Sequence, residues 1–542
     1  MSEGTNLVTK GADVAGCREE VFLRLGIDFG TTRTVVASCD RGNYPVVGFT
    51  DEAGDAADCF PSIVAEKDGE LRFGFDAERR AADPAWTLLY SFKRLLHDPS
   101  PDATVVIGST RIRLVDLITE FLGALAATLR TRSNLARGLG GGEPLEVFVA
   151  APANAHSTQR FVCLDAFRRA GFDVLGLLNE PSAAGFEYTH RYRNTLTAKK
   201  DHVVVYDIGG GTFDASLLRM SGPHHEVIAA AGISRLGGDD FDALLLDLAL
   251  AKLSLCRASL EPRAERLLLE QCRHLKEQLH PSSRRVTLDL TACLGKGAPQ
   301  GDLAIDVGEF YEACAPLVDR TLAVLGSVLD RLAPDCDAAK LPPEIAGLYV
   351  VGGASALPCV GRALRDAYGK RVHRSPYPSA AAAIGLAIAA DGHAGLELTD
   401  RFSRVFGVFR EAWGGHEISF DPIFDHEVAL PAERSARAIA ERTYRAAHNV
   451  GHFRYVECGD VDAEGHPRGD LAAFADIYFP FDPHLYGKGV ELGRVNVERF
   501  GQQGPLIRET YAVDAHGIVE VKIQNLDDDY ELAYRLTPHA GA

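Results

Sequence analysis

The stretch His202 to Met220, HVVVYDIGGGTFDASLLRM, decides how the chain is read. A β-branched run, Val203-Val204-Val205, leads into Asp207; Gly209-Gly210-Gly211-Thr212 follow, and alternation resumes through Phe213, Ala215 and Leu217. This is a strand, a tight turn and a second strand. Glycines at such a turn let backbone N–H groups close on a ligand, as main chain does when it holds phosphate. Asp207 and Asp214, at either end, would repel a bare phosphate but suit one that arrives with a hydrated divalent metal.

The same grammar recurs at Leu25 to Ser38, LGIDFGTTRTVVAS: an apolar lead-in, Asp28, Gly30-Thr31-Thr32 and a β-branched run. Two hairpins of one design, far apart in the chain, predict a duplicated α/β domain that grips one phosphate tail from both sides. A third glycine turn, Leu348 to Pro358 (LYVVGGASALP), follows another apolar strand, and Gly352-Gly353 would let the backbone approach a nucleoside.

Bulk composition narrows the field. At 542 residues the chain is too long for one core. Its 57 basic and 75 acidic side chains leave a formal charge of −18, which argues against nonspecific nucleic-acid or anionic-membrane binding. Eleven cysteines without any C-x-x-C pair read as reduced thiols of a cytoplasmic protein. No apolar run approaches the ~18 residues that cross a bilayer. The first twenty residues lack an apolar core, so residues 1–20 are expected to be a flexible tail without a secretory signal.

Along the chain, helical periods are expected over Thr87–His97, Leu114–Arg130, Gln159–Ala170, Ala243–Leu279, Leu317–Leu332 and Ala380–Ala390. Glu180 precedes Pro181, where a helix can begin. Beyond Val405 short alternating runs separated by turn residues predict a β-sandwich, apart from an ambiguous Ala432–Ala447.

The three turns in this order, with Phe60-Pro61-Ser62, Lys93-Arg94-Leu95, Asn179-Glu180-Pro181-Ser182-Ala183-Ala184 and Leu236-Gly237-Gly238-Asp239-Asp240-Phe241-Asp242, resemble the ATPase domain of the actin, sugar-kinase and heat-shock-chaperone superfamily. The DnaK-type, seventy-kilodalton heat-shock chaperones are the nearest likeness, from about Leu23 to about Leu536. The resemblance implies a fold of the α/β class: a duplicated, actin-like (ribonuclease-H-like) ATPase domain of two lobes over 21–391, a linker over 392–403, and an all-β sandwich over 404–542. The family's helical lid is not expected, since only six residues follow Leu536.

The resemblance also assigns roles. Asp28 and Asp207 would hold hydrated Mg²⁺ through water, and Gly30, Thr31, Thr32 and Gly209, Gly210, Gly211 and Thr212 would donate to the phosphates. Lys93 would stabilise charge on the γ-phosphoryl, and Glu180, with Asp207 and Thr212, would orient the attacking water. Gly237, Gly238, Lys276, Gly352 and Gly353 would hold the rest of ATP or ADP, Lys276 at the ribose; K⁺ is a second candidate cation.

Three departures stand out. Ala354 and Ala356 replace the serine and the adenine-packing arginine of the third turn, Arg273 and His280 replace a glutamate and a serine, and Gly176 replaces an arginine that engages J-domain co-chaperones. Nucleotide affinity below that typical of the family is therefore expected, and standard dependence on a J-domain partner is in doubt. In the linker, Leu396, Leu398 and Asp400 keep the family pattern while Glu397 and Thr399 dilute it, which predicts weak docking.

The function expected is an ATP-hydrolysing, chaperone-like protein that binds extended polypeptide through the sandwich, with a nucleotide-exchange factor as a further partner. The alternative is an ATP-binding scaffold for one dedicated protein. A small-metabolite kinase or a filament-forming role fits less well, because no catalytic aspartate for a phosphate acceptor is found and a β-sandwich is appended.

Overall fold

The computed structural model describes residues 23–51, 53–97, 103–139, 144–291, 301–332, 340–412, 416–469, 471–487, 491–501 and 503–535. The expected tail, residues 1–20, and the last residues, 536–542, lie outside the described residues.

The quoted repeat forms two matching hairpins. β1 (Leu25–Phe29) pairs antiparallel with β2 (Arg33–Ser38). After helix α1 (Leu114–Arg132), β3 (Leu145–Ala151) joins β1 in parallel. Helix α2 (Ser157–Arg169) then leads to β4 (Phe172–Asn179), which completes that side of a five-stranded sheet with Phe60–Pro61 at the other edge. Helix α3 (Glu180–Tyr192) starts immediately, with Pro181 in its first turn.

The second sheet repeats this plan. β5 (His202–Ile208) pairs antiparallel with β6 (Phe213–Ser221), and β6 with β7 (His224–Ile233). Helices α4 (Gly238–Lys252), α5 (Pro262–Glu277) and α6 (Val307–Asp330) follow. β8 (Ile345–Val351) then joins β5 in parallel, as β3 joins β1, before helices α7 (Pro358–Tyr368) and α8 (Ala381–Ala390). Val204, Tyr206 and Ile208 are fully buried, as a strand covered on both faces requires.

The expected helical stretch Ala243–Leu279 divides into α4 and α5, one expected helix is absent, and one ambiguous segment resolves. Thr87–His97 is not a helix but a strand, Thr87–Tyr90, followed by a 3₁₀ turn, Phe92–His97. Ile63–Glu66 offers a partner for that strand, and tertiary pairing overrides the local period. Ala432–Ala447 contains a strand, in which exposed and half-buried residues alternate.

The linker segment β9 (Glu397–Thr399) docks as an edge strand, parallel to β7, with His225 opposite Leu398. Among the described residues, the strands that build the two large sheets beyond it are β10 (Val405–Ala412), β11 (Glu417–Phe424), β12 (Arg437–Arg445), β13 (Val450–Cys458), β14 (Ala472–Pro480), β15 (Leu506–Asp514), β16 (Val519–Asn525) and β17 (Glu531–Tyr534). They form two antiparallel sheets, β11-β10-β13-β14 and β12-β15-β16-β17. Phe406, Tyr455 and Phe479 from one meet Ile507, Val513 and Val521 from the other in a common core. Side chains of this size contribute about 1.5–3 kcal/mol each when fully buried.

A polar seam joins these sheets to the N-terminal part. Asn179 donates to both carboxylate oxygens of Asp400 at 2.8 Å. Arg160 reaches Asn179, and the His516 carbonyl at 3.3 Å. The Ser157 N–H donates to Glu457 at 2.9 Å, and Arg404 donates to Asn154 and to the Glu457 carbonyl. Arg160, Asp400, Arg404 and Glu457 are all buried.

Candidate active site

The two hairpin turns face each other across a cleft of about 730 Å³. A Cβ placed on Gly210 would come within 2.9 Å of the Thr32 hydroxyl, and one on Gly211 within 2.9 Å of the Thr31 hydroxyl, so only glycine fits the approach. Asp28, Gly30, Thr31, Thr32, Lys93, Glu180, Asp207, Gly209, Gly210, Thr212, Gly238, Lys276, Gly352 and Gly353 line the cleft. Gly211 and Gly237 stand behind its wall. Arg94 and Thr31 occupy the space a Gly211 side chain would need, and Gly237 packs on the Gly210–Gly211 backbone.

Asp28 and Asp207 sit at equivalent places on equivalent strands, one residue before the ends of β1 and β5. The Lys93 ammonium donates to Glu180 at 2.7 Å, and both side chains are buried. Asp214 lies opposite Asp207 in the strand register, buried, and accepts from the backbone N–H groups of Asn154 and Ala153. Four carboxylates thus share one ammonium.

Their protonation reflects that imbalance. Burial, then Glu180, push Asp28 up to about 7 against the pull of Lys93. Burial and Glu180 push Asp214 up to about 8. Asp207 is raised well above the usual carboxylate range by burial first, then by Glu180, Asp214 and Asp28. Burial opposes the charge on Lys93, but Glu180 and Asp28 outweigh it and raise its pKa. An oxygen-only donor set with surplus negative charge, flanked by backbone N–H groups, fits a hard divalent cation carrying phosphates. Asp28 and Asp207 are the residues that would hold it.

At the third turn, Gly352 has φ +83°, and a Cβ there would meet an Asp207 oxygen at 2.3 Å. Glycine at 352 therefore keeps Asp207 in place. Ala356, Arg273, His280 and Arg365 also line the cleft. Lys276 donates to the Gly238 carbonyl at 2.7 Å and pairs with Asp242 at 2.6 Å. Gly176 has a local reason of its own: a side chain there would lie 2.4 Å from the Phe148 ring.

Contacts that bridge the cleft were not singled out by sequence. Arg94 donates to the Gly211 carbonyl at 2.9 Å and pairs with Asp240 at 2.7 Å; Arg33 pairs with Glu277 at 2.5 Å. Adjacency to Lys93 was the available signal for Arg94, whereas the Arg33–Glu277 pair is 244 residues apart and left none. A larger cavity, about 1650 Å³, opens beside the linker around Arg24, Arg41, Arg193 and His393, without a comparable carboxylate cluster among its lining residues.

Residues 126–404, just over half of the chain, match the family model described as Hsp70 protein. The chain is similar to a protein named chaperone protein HscA homolog from Burkholderia multivorans, 35% identical over 384 residues, covering 69% of this chain and 59% of the relative. Its likeness to the protein of the same name from Burkholderia ambifaria is 36% over 388 residues, with the same coverage. The chain thus spans about three fifths of the length of the curated relatives it matches. No described helix is long and apolar enough to cross a membrane.

Proposed function

The chain belongs to the Hsp70 family, and from that premise we propose that it is an ATP-dependent, chaperone-like protein. It has a two-lobed, actin-like ATPase domain over 21–391, a linker over 392–403 and a β-sandwich from 404 onward. It hydrolyses ATP to ADP and phosphate and couples nucleotide state to polypeptide binding by the sandwich. The observation that carries this reading is the four-carboxylate, one-lysine cluster set between two mirrored glycine turns.

Phosphoryl transfer to water asks for position and charge stabilisation rather than covalent chemistry. The backbone of Gly209 to Thr212 and the hydroxyls of Thr31 and Thr32 bind the phosphates. Asp28 and Asp207 would hold a magnesium ion through water, and the ion would supply positive charge beside the phosphate oxygens. Glu180 orients the attacking water, and Lys93, already in contact with Glu180, meets charge that develops on the γ-phosphoryl. Gly238, Lys276, Gly352 and Gly353 hold the nucleoside end.

Coupling is supported by adjacency. Asn179, which holds Asp400 of the linker, directly precedes Glu180. Asp214 accepts from the Asn154 backbone, and Asn154 in turn accepts from Arg404. A shift of Glu180 or of β6 on hydrolysis therefore reaches the seam through two hydrogen-bonded routes, and linkage requires polypeptide binding to act back on turnover. Phosphate release from ATP by the intact chain, with and without denatured polypeptide, tests this. Turnover that rises with the polypeptide supports coupling; indifference to it sinks the chaperone reading.

One observation favours a second reading, an ATP-binding scaffold for a single dedicated partner. Between the C-terminal sheets, Arg410 pairs with the fully buried Glu509 at 2.7 Å and with Asp421 at 2.6 Å, and Tyr444 and Tyr511 also bond Glu509. A charged interior of this kind suits one shaped partner better than many apolar segments. A stoichiometric partner that excess unfolded peptide fails to displace would select this alternative.

A further inference from the structure

Several cations that line the cleft are taken by carboxylates that line it too. Arg33 pairs with Glu277 at 2.5 Å, Lys93 with Glu180 at 2.7 Å, Arg273 with Asp239 at 3.0 Å and Lys276 with Asp242 at 2.6 Å. The other lining carboxylates, Asp28 and Asp207, belong to the phosphate end. Three further lining cations, Arg362, Arg365 and Arg374, have no carboxylate partner among the described residues. The chain carries a formal charge of −18, so a wall of unanswered guanidinium groups inside its cleft calls for a reason.

The three arginines share one side. α7 buries Val360, Leu364 and Tyr368 and turns Pro358, Gly361, Arg362 and Arg365 to the cleft. Arg362 and Arg365 are one helical turn apart and so neighbours on that flank. A Cβ on Gly361 would lie 3.5 Å from one Arg365 guanidinium nitrogen and 3.7 Å from the other. Arg365 therefore runs back over Gly361 toward the start of the helix, where the Gly352–Pro358 turn ends. Arg362 lies over the Tyr311 ring at 5.9 Å. The strand that follows, Val372–Arg374, pairs in parallel with β8 and sets Arg374 opposite Val350. Val350 and Val372 pack in the same apolar cluster as Val360 and Leu364, and alternation puts Arg374 on the same side of the sheet as Val372, the side that α7 covers.

Like charges on one wall repel each other and gain from a shared counter-anion, and the guanidinium fork is the side chain that fits phosphate oxygens in pairs. ADP and ATP carry their negative charge on the 5′ phosphates alone. Their nucleoside is neutral and would leave this wall unanswered. We propose that the cleft takes a nucleotide with a second phosphate group on its sugar, received by Arg362, Arg365 and Arg374. The inference rests on the reading of the cleft as a nucleotide site and narrows the ligand of that site. The 5′ phosphates lie at the paired glycine turns with Asp28 and Asp207, and the sugar phosphate lies against α7. The cleft, about 730 Å³, falls within the range of about 300–1,000 Å³ that small-molecule sites occupy, which leaves room for charge at both ends.

The test titrates the intact chain, with Mg²⁺, by calorimetry against ADP, 2′-phospho-ADP and 3′-phospho-ADP. One of the two phosphorylated forms should bind about tenfold tighter than ADP or better, as added hydrogen bonds between charged groups allow. That advantage should shrink as salt is raised. In the double variant Arg365→Gln, Arg374→Gln it should fall to about twofold or less. ADP that binds while neither phosphorylated form binds tighter overturns the inference and leaves the nucleotide reading standing. No heat from any of the three overturns both. An advantage that survives in the double variant places the sugar phosphate elsewhere and also overturns the inference.

Discussion

The cleft and the seam are made of the same materials, buried acids and buried bases, but in different proportions. In the seam two arginines, Arg160 and Arg404, face two carboxylates, Asp400 and Glu457. In the cleft one lysine faces Asp28, Glu180, Asp207 and Asp214. A balanced buried set is complete in itself, and its cost is met by mutual pairing. An unbalanced set keeps protons or recruits a cation. The contrast separates a seam whose charges are paired within it from a cleft whose carboxylates outnumber the ammonium they share.

The largest effect should come from unbalancing the seam. Arg160→Ala leaves Asp400 buried without its guanidinium, and urea denaturation of the intact chain should show a loss of about 3–5 kcal/mol. Unchanged stability would mean that the seam is not closed in solution. In the cleft, Lys93→Ala removes the ammonium that pairs with Glu180; ATP turnover should fall by roughly 10²–10³-fold while the fold persists. A variant that turns over like its parent would remove Lys93 from the chemistry.

Acid should strain the linker edge next. His225 is buried against Phe186 and beside Thr189, and burial, with His224, lowers its pKa to about 4. The unfolded chain binds the proton more readily, so the stability His225 contributes is present above pH 6.5 and lost as pH falls toward 4. The loss is about 3 kcal/mol in all. Hydrogen exchange at β7 and β9 should accelerate over that window, and His225→Gln should flatten the response. The smallest effect belongs to the base end, where Ala356→Arg restores a cation for stacking and should tighten ADP about fivefold, near 1 kcal/mol.

Much of this was legible because the hairpins are local. Asp28, Gly30 and Thr31, or Asp207 and Gly209 to Thr212, lie within a few residues of one another, so strand alternation and turn chemistry exposed them. Pro181 in the first turn marked the start of α3 and the place of Glu180. The misreading of Thr87–His97 arose because its partner strand, Ile63–Lys67, lies some twenty residues upstream, and a short apolar run does not announce its pairing. The seam was invisible for the same reason at longer range: Arg160 and His516 are separated by 356 residues. The linker docked although Glu397 and Thr399 looked unfavourable, because an edge strand pairs through its backbone and their side chains stay exposed.

The central claim is that the unbalanced carboxylates hold magnesium for a nucleotide. Titration calorimetry of the intact chain with ADP, with and without Mg²⁺, tests it most directly. The account predicts one site per chain when Mg²⁺ is present, and binding weakened by roughly 10²-fold or more, on the scale of a lost metal-holding carboxylate, in Asp207→Asn. Absence of heat from the wild-type chain with Mg²⁺, or equal affinity in Asp207→Asn, would contradict it.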